Sequence, residues 1–186
     1  MKIIILILFF LFVDKSFAET FGKETGLKTP RFVSTKSDSI NLRVGPSLNY
    51  PILLKYIVNN LPLEIVEEHS EWRKIIDYQK NSGWIHKSLL KGNRNGIIIS
   101  ENNNSVSLFN NPEGKEIGQI GINNIVSIKK CIISWCKIFI LEKNFWINKE
   151  NIWGIYSEEK INYGYFIFLE KIKWKVDNFI DLFLNN

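Results

Sequence analysis

The apolar positions of this chain recur in short alternations rather than in helical spacing. Ile40, Leu42 and Val44 alternate with Asn41 and Arg43, which predicts a strand with one apolar face and Arg43 on the other. Leu61, Leu63 and Ile65 alternate with Pro62 and Glu64 in the same way. The stretches EWRKIID (71–77) and GWIH (83–86) are short and rich in aromatic or β-branched residues, and the turn YQKNSG separates them. HKSLL (86–90) suits a single helical turn, with Leu89 folding back onto the core. Short strands at spacings of roughly ten to fifteen residues predict a compact barrel or orthogonal sandwich.

The pattern occurs twice. HSEWRKIIDYQKNSGWIHKSLL (69–90) parallels IISWCKIFILEKNFWINKENI (132–152): Trp72 aligns with Trp135, Trp84 with Trp146 and Ile85 with Ile147. Upstream, INLRVGP (40–46) corresponds loosely to SVSLFNNP (105–112). A period of about sixty residues is too long for most solenoids and suits two small β-domains.

Within the first unit, PRFVSTKSDSINLRVGPSLNYPIL, LPLEIVEE, EWRKI and GWIHKSLL resemble the bacterial SH3-like (SH3b) domain. From Pro30 to about Glu158, including KKCIISWCKI and NIWGIY, the chain is similar to tandem SH3-like exported proteins of alphaproteobacteria. The resemblance implies an all-β fold: two SH3-like barrels in tandem, the first over 30–92 and a second, degenerate one over 96–157. The second lacks the Gly-Pro turn, the strand arginine and the Tyr-Pro pair. For the wider SH3b group, the resemblance also implies binding of cell-wall peptides or proteins.

The ends differ from this core. Lys2, the eleven apolar residues Ile3 to Val13 and the small residues Ser16 and Ala18 form a secretory signal peptide over 1–18, cleaved after Ala18. The run is too short to span about 30 Å of hydrocarbon. Export predicts a periplasmic or secreted location. Losing Lys2, Asp14 and Lys15 lowers the net charge only from +5 to +4. The lysines are scattered, which predicts a solvated surface and no nucleic-acid partner. At the other end, Leu169, Ile172, Val176, Phe179 and Phe183 are spaced three and four apart, and predict a helix from about 165 to 184 in a tail over 158–186. Its Trp174, Lys171, Lys173 and Lys175 suit packing on the second barrel, a partner, or contact with an anionic membrane surface.

Chemistry for catalysis is sparse. The histidines are His69 and His86; both cysteines, Cys131 and Cys136, fall in one hairpin of the other unit, so no Cys–His pair forms. Two cysteines with no further ligands make no zinc site. No phosphate loop, nucleophile elbow or His-Glu-x-x-His is present. Glu67, Glu68 and Glu71 read as a solvated turn. The expectation is no enzyme, no cofactor and no metal. Cys131 and Cys136 flank a short loop between two strands, which sets their Cα atoms about 5.5 Å apart in an antiparallel pair, within disulfide range. Export supplies an oxidising compartment.

The aromatic residues of the first unit, Tyr50, Tyr56, Trp72 and Trp84, lie beside turns. A barrel of some sixty residues has little interior, so some of these rings must lie exposed. With Arg43 they predict a shallow groove for a peptide bearing a carboxylate. Gly45 is expected to supply an unusual backbone angle, and Pro46 to stiffen the exit from the strand. The function expected is an exported binding module for peptidoglycan or its stem peptides. The alternative is an envelope scaffold that binds another protein through the second domain and tail.

Overall fold

The computed structural model describes residues 20–162. The expected signal peptide and the expected helix at 165–184 lie outside the described residues. A two-stranded hairpin, β1 (Thr20–Phe21) and β2 (Lys28–Thr29), precedes the first sheet. That sheet contains β3 (Arg31–Thr35), β4 (Ile40–Arg43), β5 (Ile52–Tyr56), β6 (Pro62–His69), β7 (Trp72–Ile76), β8 (Ser82–His86) and β9 (Leu90–Lys91). The second sheet contains β10 (Asn95–Ile98), β11 (Ser105–Phe109), β12 (Glu116–Gly121), β13 (Ile125–Cys131), β14 (Trp135–Ile140), β15 (Lys143–Asn148) and β16 (Ile152–Trp153). A 3-10 turn follows β8 at Lys87–Leu89 and another follows β15 at Lys149–Asn151.

The two sheets share one topology. The first runs β5-β4-β8-β7-β6-β3-β9, and the second runs β12-β11-β15-β14-β13-β10-β16. The registers correspond as well: Arg43 lies opposite Trp84 and Phe109 opposite Trp146, while Trp72 lies opposite His86 and Trp135 opposite Asn148. The chain is mostly β, as the alternating pattern predicts.

Each sheet encloses its own core. Ile40, Leu42, Leu63, Ile65, Ile75 and Ile85 fill the first, with Leu89 packed against it from the 3-10 turn. Val126, Ile128, Ile138, Ile147 and Ile152 fill the second. Strand β10 serves both, because Ile97 packs into the first core and the adjacent Ile98 into the second. An uninterrupted apolar run is what a strand needs when both its faces are buried. Ile161 also joins the second core, and its backbone pairs with Cys131, so this packing extends past Glu158.

The sheets meet through side chains that the repeat pattern does not reveal. Phe32 packs on Trp153 and Tyr156, with ring centroids 5.0 and 4.7 Å away. Arg94 lies over the Phe32 ring and is paired with Glu159. The Tyr156 hydroxyl donates to Glu64 at 2.8 Å, and Asn95 Nδ2 donates to Ser34 Oγ at 2.8 Å. Gly154 sits at φ 121°, and a Cβ there would lie 2.6 Å from the Asn95 carbonyl. Only glycine permits that angle and that approach.

Several expectations are corrected. Val44 lies beyond the end of β4 and is exposed rather than inward-facing. Glu68 is buried, because Arg31, Thr25 and two backbone N–H groups surround its carboxylate. Lys149 is buried too, with its ammonium donating to the carbonyls of Ser157 and Glu159 at 3.0 and 2.9 Å.

The disulfide forms between Cys131 and Cys136. Their Cα atoms are 4.1 Å apart, closer than the expected 5.5 Å. The Cys131 N–H and carbonyl turn outward to Ile161, so the cysteines occupy the narrow, non-hydrogen-bonded kind of antiparallel pair. Closing so short a loop is worth about 2 kcal/mol by chain entropy.

Candidate functional site

The outer face of β4, β8 and β7 gathers three of the five expected ligand-binding residues. Along β8, Gly83 and Ile85 turn inward, and a Cβ at Gly83 would meet Leu42. Period-two alternation therefore puts Trp84 and His86 on the outer face. On β7, Ile75 is buried, so Trp72 and Lys74 face outward. Trp84 has Arg43 as its neighbour across one strand pair and Lys74 across the other.

Edge-to-face contacts organise this surface. Trp72 and His86 have ring centroids 5.4 Å apart at 84°, and His69 and Trp84 have theirs 6.2 Å apart at 79°. His86 Nδ1 and Ser88 Oγ lie 2.8 Å apart, which fixes the imidazole against the following 3-10 turn. Trp72 is half-buried and available to a ligand. Trp84 is only 9% exposed, so it forms a floor under its longer neighbours rather than an open stacking surface.

Arg43 has a more local role than expected. Its Nη1 donates to the carbonyls of Leu48 (3.1 Å) and Tyr50 (2.7 Å), clasping the turn that follows β4. It pairs with neither Glu64 nor Glu67. A guanidinium carries five N–H donors, so Nη2 and Nε remain to meet an anion. Lys74 forms an exposed ion pair with Glu67 at 3.4 Å. Such a pair contributes about 0–1 kcal/mol and exchanges readily for a ligand carboxylate.

Tyr50 is 46% exposed, and its ring lies over Gly45. The glycine is there for space rather than for a backbone angle: its φ is not positive, and a Cβ would sit 2.6 Å from the Tyr50 ring. Tyr56 does not belong to the surface. It is buried, and its hydroxyl donates to Asp77 Oδ2 at 3.0 Å. Burial, and next the Asp77 charge, push the phenol well above its ordinary pKa, so it stays protonated.

Lys74, His69 and His86 complete the face, although none of them is among the residues that the sequence singles out for binding. The signal was present, since alternation from Trp72 and Trp84 puts Lys74 and His86 alongside them. Beside the face, Val44, Leu48, Ile52 and Leu53 are exposed around the turn and on edge strand β5. Among the described residues, no group of three or more His, Cys, Asp or Glu could hold a metal ion.

Residues 36–92 match the family model described as Bacterial SH3 domain. The match covers β4 to β9 and all of the outer face described above. Among curated proteins, no match is found. Three solved structures overlap the chain loosely. NlpC2 from Trichomonas vaginalis is 11% identical, with 70% of this chain and 50% of that chain covered and a TM-score of 0.31. An NlpC/P60 family protein from Bacillus cereus is 10% identical, with 70% and 58% covered and a TM-score of 0.30. NlpC1 from Trichomonas vaginalis is 12% identical, with 73% and 49% covered and a TM-score of 0.31. The aligned part spans about half the length of those proteins.

Proposed function

We propose that the chain is an exported, non-catalytic binding module that recognises peptidoglycan in the cell envelope through the outer face of its first sheet. The match of residues 36–92 to a bacterial SH3 domain supports the class. The observation that carries the site is the set of neighbours around Trp84, with Arg43 and Lys74 flanking a floor of paired aromatic and imidazole rings. Cations beside half-buried rings suit a short peptide that ends in a carboxylate, as peptidoglycan stems do. The face is shallow and its ion pairs are exposed, so single-site affinity is micromolar or weaker. The second sheet repeats the topology of the first, and we read the pair as tandem SH3-like modules.

The test is retention of the chain lacking residues 1–18 on isolated murein sacculi. Retention above a control protein, lost on Trp72→Ala and Lys74→Glu in folded protein, is expected. No retention above the control overturns the reading.

A second reading has its own observation. Val44, Leu48, Tyr50, Ile52, Leu53 and Ile57 are all exposed in one segment that includes edge strand β5. Apolar exposure on an unpaired edge favours a protein partner, as in an envelope scaffold. Crosslinking in the envelope with mass spectrometry separates the two. A single protein captured through this segment, together with no retention on sacculi, is the outcome for the scaffold.

A further inference from the structure

The second sheet carries surface depressions of its own, although it lacks the motifs that mark the first. Three of them adjoin, with volumes of about 360, 360 and 470 Å³. Glu150 lines all three, Asn148 lines two, and Asn151 lines two. Together they form one groove of mixed polar and apolar lining that runs around the 3-10 turn at Lys149–Asn151.

The groove has an aromatic wall. Phe109 on β11 and Trp135 on β14 flank β15, with ring centroids 5.1 Å apart at 83°. Both rings are half-buried. Asn148 lies directly opposite Trp135. Ser105 and Ser107 share the Phe109 face of β11, because Val106 and Leu108 alternate into the core. Ser100 and Asn103 close the far rim.

The polar groups are hydroxyls, side-chain amides and the carboxylates of Glu150 and Glu101. Among the described lining residues the one cation is Lys149, and its ammonium is buried and engaged by the carbonyls of Ser157 and Glu159. This is the reverse of the first sheet, where Arg43 and Lys74 face outward. A ligand with a free carboxylate is disfavoured here. An extended peptide is disfavoured too, because β11, β15 and β14 are each paired on both sides and offer no strand edge.

The geometry points to a binding site for a neutral glycan, a β-linked N-acetylhexosamine strand, in this groove. The apolar face of a sugar ring stacks on the exposed part of Trp135 or Phe109. Its hydroxyl and acetamido groups both donate and accept, which matches the mixture of amides, hydroxyls and carboxylates around it. The assignment rests on the envelope-binding reading and deepens it: the first sheet takes the peptide of the wall polymer, and the second takes its sugar backbone.

The test uses two probes that separate the polymer's halves. Chitohexaose, which carries no peptide, is titrated into the full chain lacking residues 1–18, and binding is followed by calorimetry and tryptophan fluorescence. Saturable binding is expected, weakened about tenfold or more by Trp135→Ala. Glu150→Ala, at an exposed position that the fold does not need, weakens it as well, while Trp72→Ala leaves it unchanged. No saturable binding at millimolar sugar, or equal binding by the Trp135 and Glu150 variants, overturns the assignment. A sugar-free stem peptide is the parallel probe. Peptide binding without chitohexaose binding removes the glycan site and leaves the envelope reading standing. Chitohexaose binding without retention on sacculi does the opposite.

Discussion

Arg43 holds Tyr50 from beneath: its Nη1 donates to the Tyr50 carbonyl at 2.7 Å, seven residues along a turn that then returns the chain to β5. The same nitrogen holds the Leu48 carbonyl at 3.1 Å, so one side chain at the end of β4 fixes two carbonyls of the turn. The tyrosine ring closes the other side by lying over Gly45, at the position that a Cβ there would crowd at 2.6 Å. This explains why an arginine, a glycine and a tyrosine stand together in NLRVGPSLNY. They build the turn before any of them meets a ligand.

Gly45→Ala therefore displaces the Tyr50 ring. A stability loss of about 1–3 kcal/mol is expected, as for other overpacked sites. Tyr50→Ala removes the obstacle. In a double-mutant cycle by urea denaturation, the two changes are expected to be non-additive, with the double variant more stable than the sum predicts. Additive losses would show that the ring does not occupy that space in solution.

Glu68 ties the hairpin β1–β2 to the first sheet. Its carboxylate accepts from Arg31, from the Thr25 hydroxyl and from the backbone N–H groups of Glu24 and Thr25. Burial pushes its pKa up, but those hydrogen bonds outweigh it and hold the group down at about 2, from an ordinary 4.5. A depressed carboxylate contributes stability that is complete above its unfolded pKa and is lost as pH falls through its folded one. The melting temperature is thus expected to fall between about pH 4.5 and about pH 2. Burial also raises Glu159, and the bonds from Arg94 lower it below the ordinary range, so it adds to the same slope. Glu68→Gln breaks a buried pair, costs roughly 3 kcal/mol at neutral pH and flattens part of that slope. An unchanged slope in the variant contradicts this account.

The two sheets are expected to unfold as one. Ile97 belongs to the first core while its strand belongs to the second sheet, and Arg94, Phe32, Trp153 and Tyr156 interlock across the joint. A single calorimetric transition is the expected outcome for the wild type. Arg94→Ala leaves Glu159 without its guanidinium and is expected to lower the melting point or split the transition in two. Two transitions in the wild type would show that the sheets are independent.

How much of this could be read in the chain depends on range. Alternation is local, and it placed Leu42 and Leu63 in the core and Arg43 on the outer face. The spacing of Cys131 and Cys136 gave the disulfide. What failed were contacts over long separations. Nothing near Glu68 in sequence announces Thr25 or Arg31, and nothing near Lys149 announces the carbonyls that surround it. Tyr56 looked available because its partner, Asp77, lies twenty-one residues away. Trp84 was expected to be open because shielding depends on cross-strand register, which residue composition does not carry. Counting motifs directed attention to the first sheet, yet a groove also lies in the second, where the motifs are missing.

Titration of a sugar-free stem peptide into isotopically labelled protein, followed by NMR, tests the central claim most directly. Saturable shifts are expected at the indole N–H groups of Trp72 and Trp84 and around Arg43 and His86, with Lys74→Glu weakening the binding. No saturable shift at millimolar peptide, or shifts confined to the second sheet, would contradict recognition through the outer face of β4, β8 and β7.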